Sequence, residues 1–259
     1  MSGAPSGNEE FRAKEEEFYH DLWSREQWSR ATPNPDEQAR AGKIVGFIRQ
    51  YVLPTVGERQ ARILDLGCGR GWLANILSEF GHVIGVDPVS AGIERAKELF
   101  PKLEFRCLES AELLQSLGAE SFDLVVSSEV IEHVDRLQQP AFVRYIFSLL
   151  APGGFAILTT PRGELQRRWA RCQVEEQPLE EWLTASDLRR LAGDAGFHVQ
   201  QTDRVFVPTT LADPISAFVH SRYFAKLAQI FPTSRLLARL RYYCAIYQVV
   251  VLHRPANAP

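Results

Sequence analysis

Apolar and polar positions change rhythm twice along the chain. From Phe11 to about Arg30, charged residues are interspersed with aromatics, and Phe11, Glu15, Phe18, Tyr19 and Leu22 recur at spacings of three and four. That spacing predicts an amphipathic helix laying its aromatics on the body of the protein. Pro33 and Pro35 mark a loop. Asp36 is placed to cap a second helix that runs to about Leu53, where Pro54 is expected to stop it. Beyond that point short β-rich runs alternate with helical patterns. Strands are predicted at Arg62–Leu66, His82–Val86, Leu103–Cys107, Phe122–Ser127 and Phe155–Thr160. Helices are predicted near Trp72–Glu79, Ala91–Leu99, Ala111–Leu117 and Pro140–Leu150. Such alternation implies βαβ units around a parallel sheet covered on both faces. A further helix, Thr184–Ala195, ends at Gly196. It leads to a strand near Phe197–Val207, and Ala245–Leu252 would be the seventh strand. Between those last two strands, Asp213–Tyr243 reads as a helical insertion that opens with Asp213 and a first-turn Pro214.

Composition narrows the function classes. The chain has 259 residues, 45% of them hydrophobic, and a formal net charge of −3. Length allows one large α/β domain or two smaller ones, and the apolar fraction fits a folded chain. Mild acidity argues against a dedicated nucleic-acid binder. The total hides an asymmetry: from Arg204 to the end, seven Lys and Arg stand against one acid, Asp213. Cys68, Cys107, Cys172 and Cys244 lie far apart with no Cys-x-x-Cys pair. That pattern suits a reduced compartment, so a cytoplasmic location is expected. The polar, acidic start does not read as a secretory signal, and no apolar run is long enough to span a membrane.

The strongest local signal is Asp65-Leu66-Gly67-Cys68-Gly69-Arg70-Gly71, where a hydrophobic strand ends in glycines and a helix begins. Glycines permit a sharp turn and let a ligand approach main-chain atoms. The segment lacks the Gly-Lys-Ser/Thr ending of a phosphate loop. Trp72 stands where a dinucleotide fingerprint needs its third glycine. The next strand runs into Asp87-Pro88, and an acid at that tip can accept both hydroxyls of a ribose. After the third strand, Glu109, Ser110 and Ala111 sit where a side chain or amide can read an adenine. Equally, Glu109 and Glu112 can be solvated charges at a helix start.

The fourth strand ends in Ser127-Ser128-Glu129-Val130-Ile131-Glu132-His133-Val134. On a helix, Glu129, Glu132 and His133 would share one face at the C-terminal edge of the sheet, where open α/β sheets bind ligands. A neutral His133 could take a proton from an acceptor hydroxyl. Two carboxylates and a histidine could also hold a divalent metal. A helix start with two acids near its positive end remains the plain structural alternative.

The ordered set resembles the class I S-adenosylmethionine-dependent methyltransferases: Asp-x-Gly-x-Gly-x-Gly after strand one, an acid after strand two, Phe122-Asp123-Leu124-Val125-Val126, and Leu149-Leu150-Ala151-Pro152-Gly153-Gly154. It covers about Gly42 to Arg162. Glu129-Val130-Ile131-Glu132-His133-Val134 is similar to the corresponding stretch of the ubiquinone-biosynthesis O-methyltransferases. The resemblance implies a Rossmann-like, seven-stranded sheet with helices on both faces, an N-terminal helical extension and a helical insertion before the last strand. It implies a methyl transfer from S-adenosyl-L-methionine to a small-molecule acceptor, most simply a hydroxyl. An amine or amino-sugar acceptor, or a non-catalytic cofactor-binding subunit, is the alternative. In that family the glycine loop holds the methionine part of the cofactor, Asp65 orders the loop and helps the amino group, and Asp87 grips the ribose. The cofactor contacts it implies here are Asp65, Gly67, Cys68, Gly69, Gly71, Asp87, Pro88, Glu109, Ser110, Ala111 and Ser128. The catalytic residues are His133, Glu129 and Glu132. In some members the acid–histidine element binds a metal with a histidine from a later loop. Here the loop Thr160–Glu164 has no histidine, which leaves His198 or water to complete such a site.

The flanks would supply substrate choice. Residues 1–40 are expected to form a tail and helical lid, and residues 41–259 the methyltransferase domain. Arg40 and Lys43 could meet the cofactor carboxylate or simply face solvent. The basic, apolar insertion at 213–243 could contact a membrane surface or an apolar substrate tail. No nucleic-acid partner is expected.

Overall fold

The computed structural model describes residues 17–22, 25, 30–165, 180–205, 222–223, 226 and 242–256. Seven strands form one sheet: β1 Ala61–Leu66, β2 Gly81–Asp87, β3 Glu104–Cys107, β4 Phe122–Ser128, β5 Leu150–Pro161, β6 His198–Val205 and β7 Tyr247–His253. Their order is β3-β2-β1-β4-β5-β7-β6. β1 to β5 are mutually parallel, and β7 is antiparallel to both β5 and β6. The strand order reverses between β1 and β4. Such a reversal, beyond the C-terminal ends of the strands, is the usual ligand position in sheets of this kind.

The helices are α1 Pro35–Phe47, α2 Leu53–Val56, α3 Trp72–Leu77, α4 Ser90–Leu99, α5 Leu113–Leu117, α6 Gln139–Leu149 and α7 Ala185–Asp194. Alternating strand residues serve opposite faces. Ile63, Leu124, Val126, Ile157, Val249 and Val251 pack with α1, α3 and α4. Leu64, Val125, Ala156, Leu158, Val250 and Leu252 pack with α5, α6 and α7. Each face carries its own core, which is why these strands read as nearly continuous apolar runs.

Several boundaries differ from the sequence expectation. Asn34, not Asp36, caps α1: its side chain accepts from the amides of Asp36 and Glu37, and Glu37 reaches back to the Asn34 amide. Asn34 wins because the capping position precedes Pro35, which suits the first helical turn. Pro54 does not end the helix. The chain widens into a π-helical stretch, Ile48–Val52, before α2, and Gly57 at φ 68° terminates it. The Leu53 amide bonds back to Ile48 O, so the wide turn precedes the proline that cannot donate in the α pattern. β5 begins at Leu150 rather than Phe155, since Leu150 already pairs with Phe122 before a register shift brings Phe155 beside Leu124. Residues 17–22 are helical, as expected. The rest of the expected first helix, Cys172, the strand end at 206–207 and nearly all of the 213–243 insertion lie outside the described residues.

Candidate active site

The glycine loop follows β1 directly. Gly67 and Cys68 donate their amides to Val86 O at 2.7 and 3.0 Å, tying the loop to β2. Gly67 sits at φ 80°, and a Cβ there would lie 2.2 Å from Val130 Cγ2. Gly71 sits at φ 78°, and a Cβ there would meet the Phe105 ring at 2.7 Å. Both positions combine a left-handed backbone with no room for a side chain, so sequence and geometry require glycine. Cys68 is buried beneath the loop, and burial pushes its thiol well up.

Asp87 does more than tip its strand. Its Oδ2 accepts from the Gly69 amide and its Oδ1 from the Val89 amide, both at 2.9 Å. It thus pins the loop while each oxygen keeps a further lone pair for a ribose hydroxyl. Pro88 follows it. The chain then brings β3 alongside, where Leu108 donates to Asp87 O at 3.2 Å. Glu109, Ser110 and Ala111 are exposed next to it, with Glu109 capping a short 3₁₀ turn and receiving the Glu112 carboxylate at its own amide.

Asp65 is 1% exposed and its Oδ2 has no partner among the described residues. The Ala74 amide supports the carboxylate, but burial and the neighbouring Asp87 raise its pKa to about 7. A buried carboxylate oxygen without a donor beside a glycine loop fits a ligand that brings an ammonium group. The donors and acceptors here therefore suit S-adenosylmethionine.

The acid–histidine cluster departs from the expected helix face. β4 ends at Ser128, Glu129 takes a left-handed conformation at φ 60°, and Ile131–His133 forms a single 3₁₀ turn. Glu129 accepts from Thr159 Oγ1 at 2.8 Å, and Glu132 accepts from Thr160 Oγ1 at 3.0 Å. Thr159 and Thr160 are consecutive in β5 and so point to opposite faces of the sheet. The two carboxylates are therefore held on opposite sides of the strand end. Among the described residues, no group of three His, Cys, Asp or Glu is arranged to hold a metal ion. His198 does not complete one, because it opens β6 opposite His253, at the other end of the sheet. The expectation of one converging Glu129–Glu132–His133 face fails because the turn after β4 is tight rather than α-helical.

The three residues have distinct surroundings. Glu132 is 2% exposed, and its carbonyl accepts from the Glu181 amide at 2.7 Å, anchoring the segment that leads into α7. Glu129 keeps 19% of its side chain exposed at the sheet edge and meets Arg40 Nη1 at 3.4 Å. Burial raises the proton affinity of both carboxylates; Arg40 opposes that at Glu129, and a backbone hydrogen bond and Thr160 oppose it at Glu132. His133 is half-buried, and the Tyr19 ring lies edge-on to it with centroids 6.3 Å apart. Gln139 Nε2 donates to Ile131 O and Val134 O and so fixes the turn that carries His133. Ser128 Oγ and Thr159 Oγ1 are 2.8 Å apart, which places Ser128 in the Glu129 network.

Two arginines carry more of the site than the sequence suggested. Arg40 is buried between Asp36, Glu129 and the Tyr247 ring, 4.7 Å from its centroid, rather than facing solvent. Lys43 is not at the site: it pairs with Asp203 of β6 at 2.6 Å. Arg70, inside the glycine loop, forms a two-point pair with Glu37 at 2.9 and 2.7 Å and donates to Arg30 O. Its burial at 1% exposure was unforeseen. The only sequence signal was Glu37 three residues after the capping Asn34, which also serves the cap.

The order of strands, the antiparallel β7 and the glycine loop pinned by Asp87 define a Rossmann-like methyltransferase fold. A family model described as a methyltransferase domain matches residues 37–202, more than half of the chain. The chain belongs to this methyltransferase-domain family. The mitochondrial ubiquinone biosynthesis O-methyltransferase of Bos taurus is 37% identical over 131 residues, 45% of this chain and 35% of the bovine protein. A probable S-adenosylmethionine-dependent methyltransferase of Mycolicibacterium smegmatis is 33% identical over 156 residues, 58% of this chain and 57% of that protein. The chain thus spans between about a third and three-fifths of the length of these relatives. Among solved structures, the N-methyltransferase NodS from Bradyrhizobium japonicum, in complex with S-adenosyl-L-homocysteine, aligns with a TM-score of 0.62 at 16% identity, covering 92% of this chain and 97% of NodS. Magnesium protoporphyrin IX methyltransferase from Synechocystis aligns with a TM-score of 0.57 at 14% identity, covering 98% of this chain and 100% of that one. These likenesses show the fold. Among the described residues, no helix is long and apolar enough to cross a membrane.

Proposed function

We propose that the chain is an O-methyltransferase of a small-molecule acceptor, with His133 taking the proton of the acceptor hydroxyl. The carrying observation is the pair Glu129 and His133, both partly exposed at the C-terminal sheet edge beside the glycine loop, while Glu132 is buried under Thr160. The similarity to ubiquinone biosynthesis O-methyltransferases, 37% identity over 131 residues with the bovine protein and 36% over 113 residues with that of Bradyrhizobium diazoefficiens, supports oxygen as the acceptor atom. When bound, S-adenosylmethionine supplies a methyl group already activated by its sulfonium. The loop of Gly67, Gly69 and Gly71 would cradle it, with Asp87 there to receive the ribose hydroxyls and Asp65 Oδ2 the ammonium. The remaining work of the chain is alignment and one proton transfer. Glu129 orients the acceptor hydroxyl, and His133 holds the proton it releases. Glu132 is reassigned to fixing the segment before α7.

The reading extends to location. The four cysteines, Cys68, Cys107, Cys172 and Cys244, lie far apart in the sequence with no Cys-x-x-Cys pair, a usage that supports a reducing, cytoplasmic setting. On its basic and apolar composition, the 213–243 stretch is proposed to contact a membrane surface or an apolar tail of the acceptor.

The test is turnover with catechol and with glucosamine, followed by product mass spectrometry. Methylated catechol is expected. Methyl on the amino sugar nitrogen instead, or on neither, overturns the oxygen assignment. Replacing His133 by Ala should lower kcat by roughly 10²–10⁴ with cofactor affinity unchanged. An unchanged kcat removes His133 from the chemistry.

A further inference from the structure

α1 begins with three charged residues that all turn inward. Glu37 is 3% exposed and Arg40 is 7% exposed, although charged side chains are seldom buried unless paired. Glu37 takes Arg70 of the glycine loop. Arg40, one turn later, reaches Asp36 Oδ2 at 3.5 Å and Glu129 Oε2 at 3.4 Å through Nη1. The guanidinium lies over Tyr247, whose hydroxyl donates to Asp36 Oδ2 at 2.9 Å. Four elements therefore meet on Arg40: α1, the turn after β4, β5 through Thr159, and β7.

The arrangement is not what stability alone would select. Arg40 Nε and Asp36 Oδ1 are buried without a partner among the described residues. A buried cation shared between two carboxylates at these distances recovers its desolvation cost poorly, and an apolar substitute of similar size is often as stable. What the charge does accomplish is geometric. Glu129 has a left-handed backbone that a non-glycine residue adopts only when its surroundings hold it. Its Oε1 is held by Thr159 and its Oε2 by Arg40. The guanidinium plane suits both jobs at once, facing carboxylates at its edge and the Tyr247 ring at its face.

We infer that Arg40 is a positioning residue that acts through Glu129, aiming its carboxylate at the acceptor hydroxyl. The same helical turn fixes the glycine loop through Glu37 and Arg70, so α1 sets the distance between the two reactants. This inference rests on the role given above to Glu129 and reaches beyond it, to the group that holds that carboxylate in place.

A double-mutant cycle on kcat with catechol as acceptor tests it. The chains are wild type, Arg40→Met, Glu129→Gln and the double variant, with Arg40→Lys as the conservative replacement. Methionine keeps the packing volume and leaves the fold measurable by thermal melting. Arg40→Met should lower kcat at least about tenfold, within the range of a mispositioned catalytic contact. Cofactor affinity by calorimetry should stay within about twofold, since Arg70 and Glu37 are intact. In the Glu129→Gln background the Arg40 change should have no further effect, and Arg40→Lys should recover part of the lost rate. Additive losses, an Arg40→Met chain at wild-type kcat, or equal losses of rate and cofactor affinity would each overturn the inference while leaving the role of Glu129 standing. A Glu129→Gln chain at wild-type kcat would instead overturn that underlying role.

Discussion

Replacing Gly67 by Ala tests the central claim that the turn after β4 is seated directly on the cofactor loop. Two separable costs apply. At φ 80° a side chain faces left-handed strain of about 1–2 kcal/mol. The added Cβ also meets Val130 Cγ2 at 2.2 Å, an overpacking of about 1–3 kcal/mol. Gly153 provides the control, because it sits at φ 83° with nothing within 4 Å of its would-be Cβ. Gly153→Ala should therefore lose only the strain, about 1–2 kcal/mol. Denaturant unfolding of both variants should show Gly67→Ala less stable by the further ~1–3 kcal/mol. Since the clashing atom is named, Val130→Ala should rescue it, giving a favourable coupling of about 1–3 kcal/mol in the double variant. Equal losses at Gly67 and Gly153, or a coupling below about 0.5 kcal/mol, would refute the contact. A rescued chain that still binds S-adenosylmethionine weakly would further show that the open backbone at Gly67, not merely the stability of the fold, shapes the cofactor site.

The acids give pH-dependent outcomes of opposite sign. Asp65 has a folded pKa raised to about 7 by burial and by Asp87, above the usual ~3.9. Its contribution to the cofactor-free chain is thus fully present at low pH and declines as pH rises from about 4 through 7. An arriving ammonium should ionise it, so calorimetry in buffers of different ionisation enthalpy should register proton release at pH 6 that fades by about pH 8. Asp65→Asn should abolish that release, and its persistence would move the titrating group elsewhere. Asp123, at the far end of β4, is held well below the usual range: burial pushes its carboxyl up, but Arg59 and Arg62 outweigh it. Its contribution is present above about pH 4 and is lost as pH falls further. Both arginines are half exposed, so after screening Asp123→Asn should cost only about 1–2 kcal/mol at neutral pH, and the loss should vanish in acid.

Strand and helix alternation was legible because buried parallel strands leave apolar runs that end in recognisable turns. The glycine loop and Asp87 were legible for a stronger reason: Gly67 and Gly71 are sterically obligatory, so their identity encodes their geometry. The acid–histidine element misled because an i, i+3, i+4 spacing has meaning only on an α-helix. Glu129 in its left-handed turn and the 3₁₀ turn at His133 break that periodicity, and nothing local announces it. The split between Glu129 and Glu132 depends on which threonine each meets, and that is a long-range fact about β5. Arg70 and Arg40 were illegible for the same reason. Their partners lie 33 and 89 positions away in the chain, at Glu37 and Glu129. By contrast the stop at Pro54 failed locally, since a wider turn upstream absorbs a proline that a regular helix would not.

That wider turn has a consequence for the other end of the same helix. A π-turn accommodates one residue more than the α pattern, and one residue is worth about 100° of rotation. The bulge at Ile48–Val52 therefore acts as a phase adjuster between the junction with β1 and the first turn of α1. It sets the register of α1 as a whole against the sheet relative to the junction that follows. Glu37 and Arg40 share one stripe of α1 with Ala41, Ile44 and Phe47, so the charged turn and the apolar register swing inward together. A widening at Ile48–Val52, about two helical turns from Arg40, thus bears on the whole face that meets the site.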